Sequence, residues 1–425
     1  MPEVMEPGSR IRAGLAIRRR RGEIGAFRRD RGRWGYDRAD REPAGSAGTA
    51  VGGPELIEHS FKAPEFTVGI EEELMILDAD GMGLAPAIDE ILAAVPPEHE
   101  GQVKPELLQA VLEIATPPCD SIAEAGRELA ELRRMVIGIA EQRGLHIGAA
   151  GTHPFARWED VPITAGERYA GLVGELEMIA RQELIFGTHV HVAISEPDRA
   201  IYVADGIRRY LPMLLALSAN SPFWRGEATG LMSSRTPIFR AFPRVGIPPH
   251  YGTWEIFSHR VELMMRAGAI EDYTYLWWDV RAHPGIGTVE TRIFDQQTRL
   301  EHTVSLSALV AALAKRLTVA FDAEEPMVEY PTELIDDNKI RAAIRGTDGN
   351  LVDFRRGEQV PAPEMVRRLA EQVREHAQDL GCESELDGVF DLLDHNTGAH
   401  RQLAMLERGG ELRDVVDEVI EHTRP

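Results

Sequence analysis

Hydrophobic and polar positions alternate where the ordered pattern begins. In FTVGIEEELMILD, Val68, Ile70, Leu74 and Ile76 share one parity, the period of two that marks a half-buried strand. PAIDEILAAV then reads as a short helix, and QAVLEIATP as a second strand closed by Pro117 and Pro118. From Ser121 the period becomes helical. Ala125, Leu129, Leu132, Val136 and Ile139 follow a capping box from Ser121 to Glu124. This helix is expected to cover the back of a sheet.

HIGAAGTHP predicts a strand and turn, RYAGLVGELEMIARQEL a helix, and FGTHVHVAIS a strand with Val190, Val192 and Ile194 on one face. Residues 199–220 form an apolar helical stretch that Pro212 should kink. After a loop rich in Arg, Pro and aromatic residues, GTVETRIFD is a fourth clear strand and TVSLSALVAALAKRL a buried helix. The tail beyond Pro361 reads as amphipathic helices. Short strands separated by helices and long loops indicate an α+β fold. The pattern leaves strand order open.

Composition sets the domain limits. At 425 residues, 43% hydrophobic and 27% charged, the chain can bury a large core and is expected to form one catalytic unit with appendages. Residues 1–62 differ: the cluster Arg18, Arg19, Arg20, Arg21 and the stretch EPAGSAGTAVGGP bury little. They are expected to form a disordered basic extension to which no function is assigned, with residues 63–425 the catalytic domain and its helical C-terminal region. Residues 1–50 hold twelve Arg against seven Asp and Glu, so the remainder carries −27 of the total −22. That acidity argues against nucleic acid as a partner. No apolar run approaches the roughly 18 residues that cross a bilayer, and the Arg-rich N-terminus lacks the apolar segment of a secretory signal. No membrane partner and a cytoplasmic location are therefore expected, with Cys119 and Cys382 reduced. A homodimer is left open.

The candidate chemistry lies on the strands. Parity places Glu71 and Glu73 together on one face, about 7 Å apart along the chain, where they repel unless a cation or solvent intervenes. The plain alternative is an exposed strand face. Glu72 falls with the apolar positions and is expected at a sheet edge, beside an Arg, or in a bulge. His189 and His191 share a face opposite the valines and can bind metal when neutral or phosphate when charged. The acid supply points to magnesium or manganese, with zinc an alternative. Glu290 and Arg292 fall side by side, either as a simple ion pair or as a cation ligand and a phosphoryl clamp. In SSRTPIFRAFPR, Arg235, Arg240 and Arg244 can clamp phosphate or carboxylate, at least one being a structural ion-pair partner. A Walker loop, a Rossmann glycine fingerprint, HExxH and GxSxG are all absent.

GIEEEL, ELLQAVLEIATPPC, FGTHVHV, SSRTPIFRAFP and GTVETRIFD, in that order, resemble the bacterial carboxylate-amine ligases of the glutamate-cysteine ligase type 2 family, within the glutamine synthetase-like superfamily. The resemblance spans about residues 65–400. It implies a glutamine synthetase/guanido kinase-like catalytic fold, a curved antiparallel β-sheet forming an active-site funnel and backed by helices. It implies ATP and Mg2+ (or Mn2+), with glutamate-like and amine small-molecule substrates such as cysteine, an acyl phosphate, and release of ADP and phosphate. It makes Glu71, Glu73, Glu106, Glu113, His189 and Glu290 metal ligands. It places His191 near the nucleotide phosphates and Arg292, as a catalytic group, at the γ-phosphate; from the Arg-rich loop, Arg240 is expected to contact the nucleotide and Arg235 to be catalytic. The interval from Glu106 to Glu113 departs by one residue from the glutamine synthetase pattern, so the role of Glu106 is the least fixed. Loops 225–255 and 272–288 are candidate lids. A metal-dependent hydrolase and a degenerate nucleotide-binding relative are the competing readings.

Overall fold

The alternation at Val68 becomes an eleven-residue strand, β1 (Val68–Asp78), around which the central sheet is assembled. The computed structural model describes residues 57–62, 64–394 and 397–425. Six further strands complete this sheet: β2 (Val103–Pro105), β3 (Val111–Ala115), β4 (Leu145–Gly148), β5 (Gly187–Ala193), β6 (Val280–His283) and β7 (Thr288–Asp295). The order β6-β7-β5-β1-β3-β2, with β4 also on β1, is antiparallel at every pairing. The sheet is open, with β6 and β2 at its edges. In β7 the register shifts between Thr291 and Phe294, an irregularity that bends a strand and increases its twist.

The apolar parity of β1 faces helices. Ile70, Leu74 and Ile76 are fully buried with Leu112, Ile114, Val190 and Val192 in one core, each such side chain contributing about 1.5–3 kcal/mol relative to exposure. Helix Ile122–Glu141 buries Ala125, Leu129, Leu132, Val136 and Ile139, the predicted stripe. Ser121 caps it by accepting from the Glu124 amide at 3.2 Å, while the Glu124 carboxylate accepts from Asp120 N–H rather than from the cap residue itself. Pro212 marks the expected break: helix Pro197–Ile207 gives way to a tight turn at Arg208–Tyr210 before helix Leu211–Ser218.

Three expectations change. Helix Leu300–Asp322 is long and apolar enough by composition to cross a membrane, although Ser, Thr, Lys315 and Arg316 break its apolar run in the sequence. It packs against β5, helix Ile122–Glu141 and the helices Ala362–Asp379 and Glu383–Asp394, with 67% of its apolar window buried in the protein. Of the anticipated extension 1–62, residues 1–56 lie outside the described residues, whereas residues 57–62 pack on the fold. Phe61 is 3% exposed and Ser60 N–H donates to Pro284 O at 2.8 Å, because two apolar side chains, Ile57 and Phe61, find a core within a segment whose average composition conceals them. Strand β6 lies inside the stretch expected to be a lid. The helical C-terminal region is present, ending in helix Leu412–Thr423. Cys119 and Cys382 are free and buried.

Candidate active site

Register converts sequence parity into a cluster. Glu71 lies opposite His189, Glu73 opposite Glu113, and Glu290 opposite both His191 and Arg281 on its two neighbouring strands. Lys104 on β2 lies opposite Glu113. These side chains share the face of the sheet opposite the core of Ile70, Leu74 and Ile76.

His189 Nδ1 is 3.2 Å from Glu71 Oε2, and His191 Nε2 is 3.7 Å from the same oxygen and 3.9 Å from Glu290 Oε1. One ligand atom each from Glu71, His189 and Glu290 fall within 4.8 Å of one another. Glu73 Oε2 accepts from Gly187 N–H at 2.5 Å, and its other oxygen lies 3.9 Å from His189 Nε2. Lys104 Nζ binds Glu113 at 2.8 Å and lies 3.9 Å from Glu71. Glu290 is 1% exposed and takes Arg281 Nε at 2.5 Å on one oxygen and Arg292 on the other.

The charges are unevenly balanced. Burial opposes ionisation of Glu71, but the hydrogen bond with His189 and the nearby His191 ring outweigh it and hold the carboxyl well below its usual range. Burial likewise opposes the Glu290 charge, and the Arg281 and Arg292 guanidiniums overcome it. Glu113 is pushed up to about 7 by burial and by Glu71, with Lys104 offsetting part of the rise. Burial, then Glu113 and Glu73, raise Glu106 well above normal. His189 is lowered by burial and Arg292, so it is a neutral ring at neutral pH. His191 is raised, the nearby Glu290 and Glu71 outweighing its burial.

Two buried ring nitrogens, His189 Nε2 and His191 Nε2, have no hydrogen-bond partner. An unpaired buried polar atom is costly, and two of them among carboxylates fit a ligand that is a Lewis acid on one side and a phosphate on the other. The donor set of carboxylate oxygens with one or two imidazoles suits magnesium or manganese.

A cleft opens beside this cluster. Glu73, Glu106, Arg292 and Arg235 line it, with Tyr275, Trp277, Phe239 and Phe242 as an aromatic wall. Arg235 is 4% exposed and points its guanidinium at the Arg292 and Ile293 carbonyls over Gly187. A Cβ on Gly187 would lie 2.4 Å from Arg235 Nη2, so a larger residue there would displace the guanidinium from these carbonyls. The aromatic wall comes from the two segments expected to form lids.

Arg240 is not brought to the cleft. It sits at the surface, paired with Asp336, because the helix Arg235–Phe239 turns it away from the sheet. Arg244 is spent on Tyr275 O at 3.0 Å and the Trp277 ring. Lys104, Arg281, Arg168 and Glu183 also belong to the cluster or cleft and were not anticipated. Burial pushes the Glu183 carboxyl up to about 8, against the opposing effect of Arg235. Lys104 and Arg281 were detectable as charges at the alternating positions of VKP and VRAH, strands too short to stand out.

Residues 67–422 match the family described as Glutamate-cysteine ligase family 2. A protein of Rubrobacter xylanophilus provisionally named glutamate--cysteine ligase 2-1 is 44% identical over 369 residues, covering 87% of this chain and 98% of that one. A counterpart from Sorangium cellulosum, named in the same provisional way, is 43% identical over 84% of this chain and 96% of its own. Among solved structures, the glutamate-cysteine ligase of Francisella tularensis in complex with AMP superposes with a TM-score of 0.63 at 14% identity, covering 86% of this chain and 90% of that chain. The bifunctional glutathione synthetase of Pasteurella multocida gives 0.62 at 13% identity, over 85% of this chain and 52% of its own. At such identities these two likenesses speak for the fold.

Proposed function

The chain belongs to glutamate-cysteine ligase family 2, and we propose that it joins a glutamate-like carboxylate to an amine such as cysteine, with ATP converted to ADP and phosphate through an acyl phosphate. The observation that carries this reading is the pair of unpartnered ring nitrogens of His189 and His191, buried among carboxylates next to Arg292. Glu71, His189 and Glu290 would hold one divalent cation, and Glu73, Glu106 and Glu113 a second. Bound there, Mg2+ or Mn2+ would offset triphosphate charge and make the γ-phosphorus a better electrophile.

The protein's own groups supply the rest. Arg292, fixed by Glu290, would offset charge on the phosphoryl group as it passes to the substrate carboxylate. His191 in its charged form would donate to a phosphate oxygen. Arg235, buried at the cleft wall, is positioned for the phosphate or the substrate carboxylate. The amine then attacks the acyl carbon and phosphate leaves, which requires the attacking nitrogen to lose a proton. Glu183, a cleft carboxylate of raised basicity, is positioned to take it. The aromatic wall would shield the acyl phosphate from water. Use of ATP and amino acids fits a cytoplasmic enzyme.

The reading is tested by mass spectrometry of reactions holding Mg-ATP, glutamate and a panel of amines. A glutamyl amide formed only when all three are present supports it. Hydrolysis of an amide or ester without ATP would favour the hydrolase reading instead.

A further inference from the structure

A second cleft lies among helices and shares no lining residue with the first. Its volume is about 630 Å3, within the roughly 300–1,000 Å3 of small-molecule sites. Its apolar floor includes Met213, Ile335, Leu351 and Leu369. Tyr210, Tyr330 and Phe354 add aromatic surface, the last two with ring centroids 5.7 Å apart.

The charges around it are one-sided. Five arginines, Arg209, Arg316, Arg355, Arg356 and Arg368, face a single lining acid, Asp353. Asp353 is already engaged by Arg356 at 3.8 Å and by the Arg355 amide at 3.0 Å, and Arg368 pairs with Glu364. Among the described residues, Arg209, Arg316 and Arg355 have no carboxylate within ion-pair distance. Arg209 instead stacks 4.7 Å over the Tyr210 ring and donates to its hydroxyl, leaving its buried Nε without a partner. Arg209 and Arg316 are half-buried and Arg355 is exposed, so in a chain of net charge −22 one apolar cleft is lined by three guanidiniums without a carboxylate partner, a lining that suits an anion.

We propose that this cleft binds a small aromatic anion, its carboxylate, sulfonate or phosphate held by Arg209, Arg316 and Arg355 and its ring seated on Tyr210, Tyr330 and Leu369. Guanidinium binds all three oxyanions through charge-assisted hydrogen bonds. The apolar floor supplies the ring's share of the affinity. Such a site would let a metabolite other than the substrates act on the enzyme from outside the funnel.

The probe is 8-anilinonaphthalene-1-sulfonate, titrated by fluorescence and by calorimetry against the full-length protein. The expected result is one equivalent bound per chain, with affinity lowered about tenfold or more in the double variant Arg316→Ala/Arg355→Ala. Neither residue makes an ion pair, so the variant should fold, and Arg316→Gln/Arg355→Gln, which keeps side-chain length, should weaken binding similarly. Arg292→Lys in the funnel should bind the probe as the parent does. Binding unchanged within twofold in both double variants would overturn the proposal, as would loss of binding in Arg292→Lys. No binding, or probe uptake that tracks dissociation of a dimer in sedimentation, would also overturn it, the latter by making the cleft an interface between copies.

Discussion

Glu72 and Arg133 form a fully buried two-point ion pair, Nε to Oε2 and Nη2 to Oε1 both at 2.7 Å, on the opposite side of β1 from Glu71 and Glu73. Arg133 also donates to the Gln297, Thr298 and Thr423 carbonyls, and Thr303 Oγ1 donates to Glu72. Three consecutive glutamates thus divide between two tasks. The outer two face the cleft, and the middle one ties β1 to the helices and to the end of the chain.

Arg133→Met should therefore destabilise the protein by about 3–5 kcal/mol, because it strands a buried carboxylate. Glu72→Leu/Arg133→Met should recover much of that loss. Urea unfolding followed by circular dichroism measures both. A single-variant cost under about 1 kcal/mol would contradict the buried pairing.

The cleft carboxylates should act in the opposite sense. Glu113 and Glu183 are raised to about 7 and about 8, above their values in an unfolded chain, so the folded state binds more protons between those limits. Their contribution is present at low pH and lost as pH rises through 7 to 8. Without divalent cations, stability should fall by on the order of 4 kcal/mol from pH 6 to pH 8.5, about one pH unit's worth from Glu113 and two from Glu183. Saturating Mg2+ should remove the Glu113 share of that slope and leave the Glu183 share, since cation and proton compete only for the oxygens of the proposed ligands. Melting curves across pH, with and without Mg2+, give the answer, and a flat cation-free profile would count against the cluster.

Arg292→Lys should lower kcat about 100-fold or more, since lysine cannot serve Glu290 and a phosphoryl group with one planar fork. Arg240→Ala should leave kcat within about twofold, because Arg240 pairs with Asp336 away from the cleft. Steady-state kinetics separates the two. Equal losses would mean that the loop rearranges to bring Arg240 inward.

For Glu183→Gln, the proposed proton acceptor is removed while volume is kept. The expected result is a kcat about 10–1,000-fold lower, with the alkaline-side rise of the pH profile near 8 abolished. An unchanged pH profile would reduce Glu183 to a neighbour of Arg235.

Much of the cleft was legible because parity on a strand is local. GIEEEL and FGTHVHV each fix which side chains share a face, and the cap at Ser121 and the break at Pro212 are equally local. Cross-strand register is not. Nothing near Glu113 announces Lys104, and nothing near Glu290 announces Arg281, because each pair is made by strands of three and four residues with little hydrophobic signature. Glu72 could be assigned to the helix-packed face, yet its partner Arg133 lies 61 residues away on a helix whose stripe reads as apolar. Arg240 failed for the same reason in reverse: its partner is 96 residues distant, so a loop guanidinium looked available when it was not.

The most direct test of the ligase reading is ADP release by the purified protein with Mg-ATP, glutamate and cysteine or another amine, each omitted in turn, beside a Glu71→Gln variant. ADP formed only with both glutamate and an amine, and reduced at least about 100-fold in the variant, is the predicted result. Folded protein that releases no ADP with any carboxylate-amine pair, or a Glu71→Gln variant as active as its parent, would contradict it.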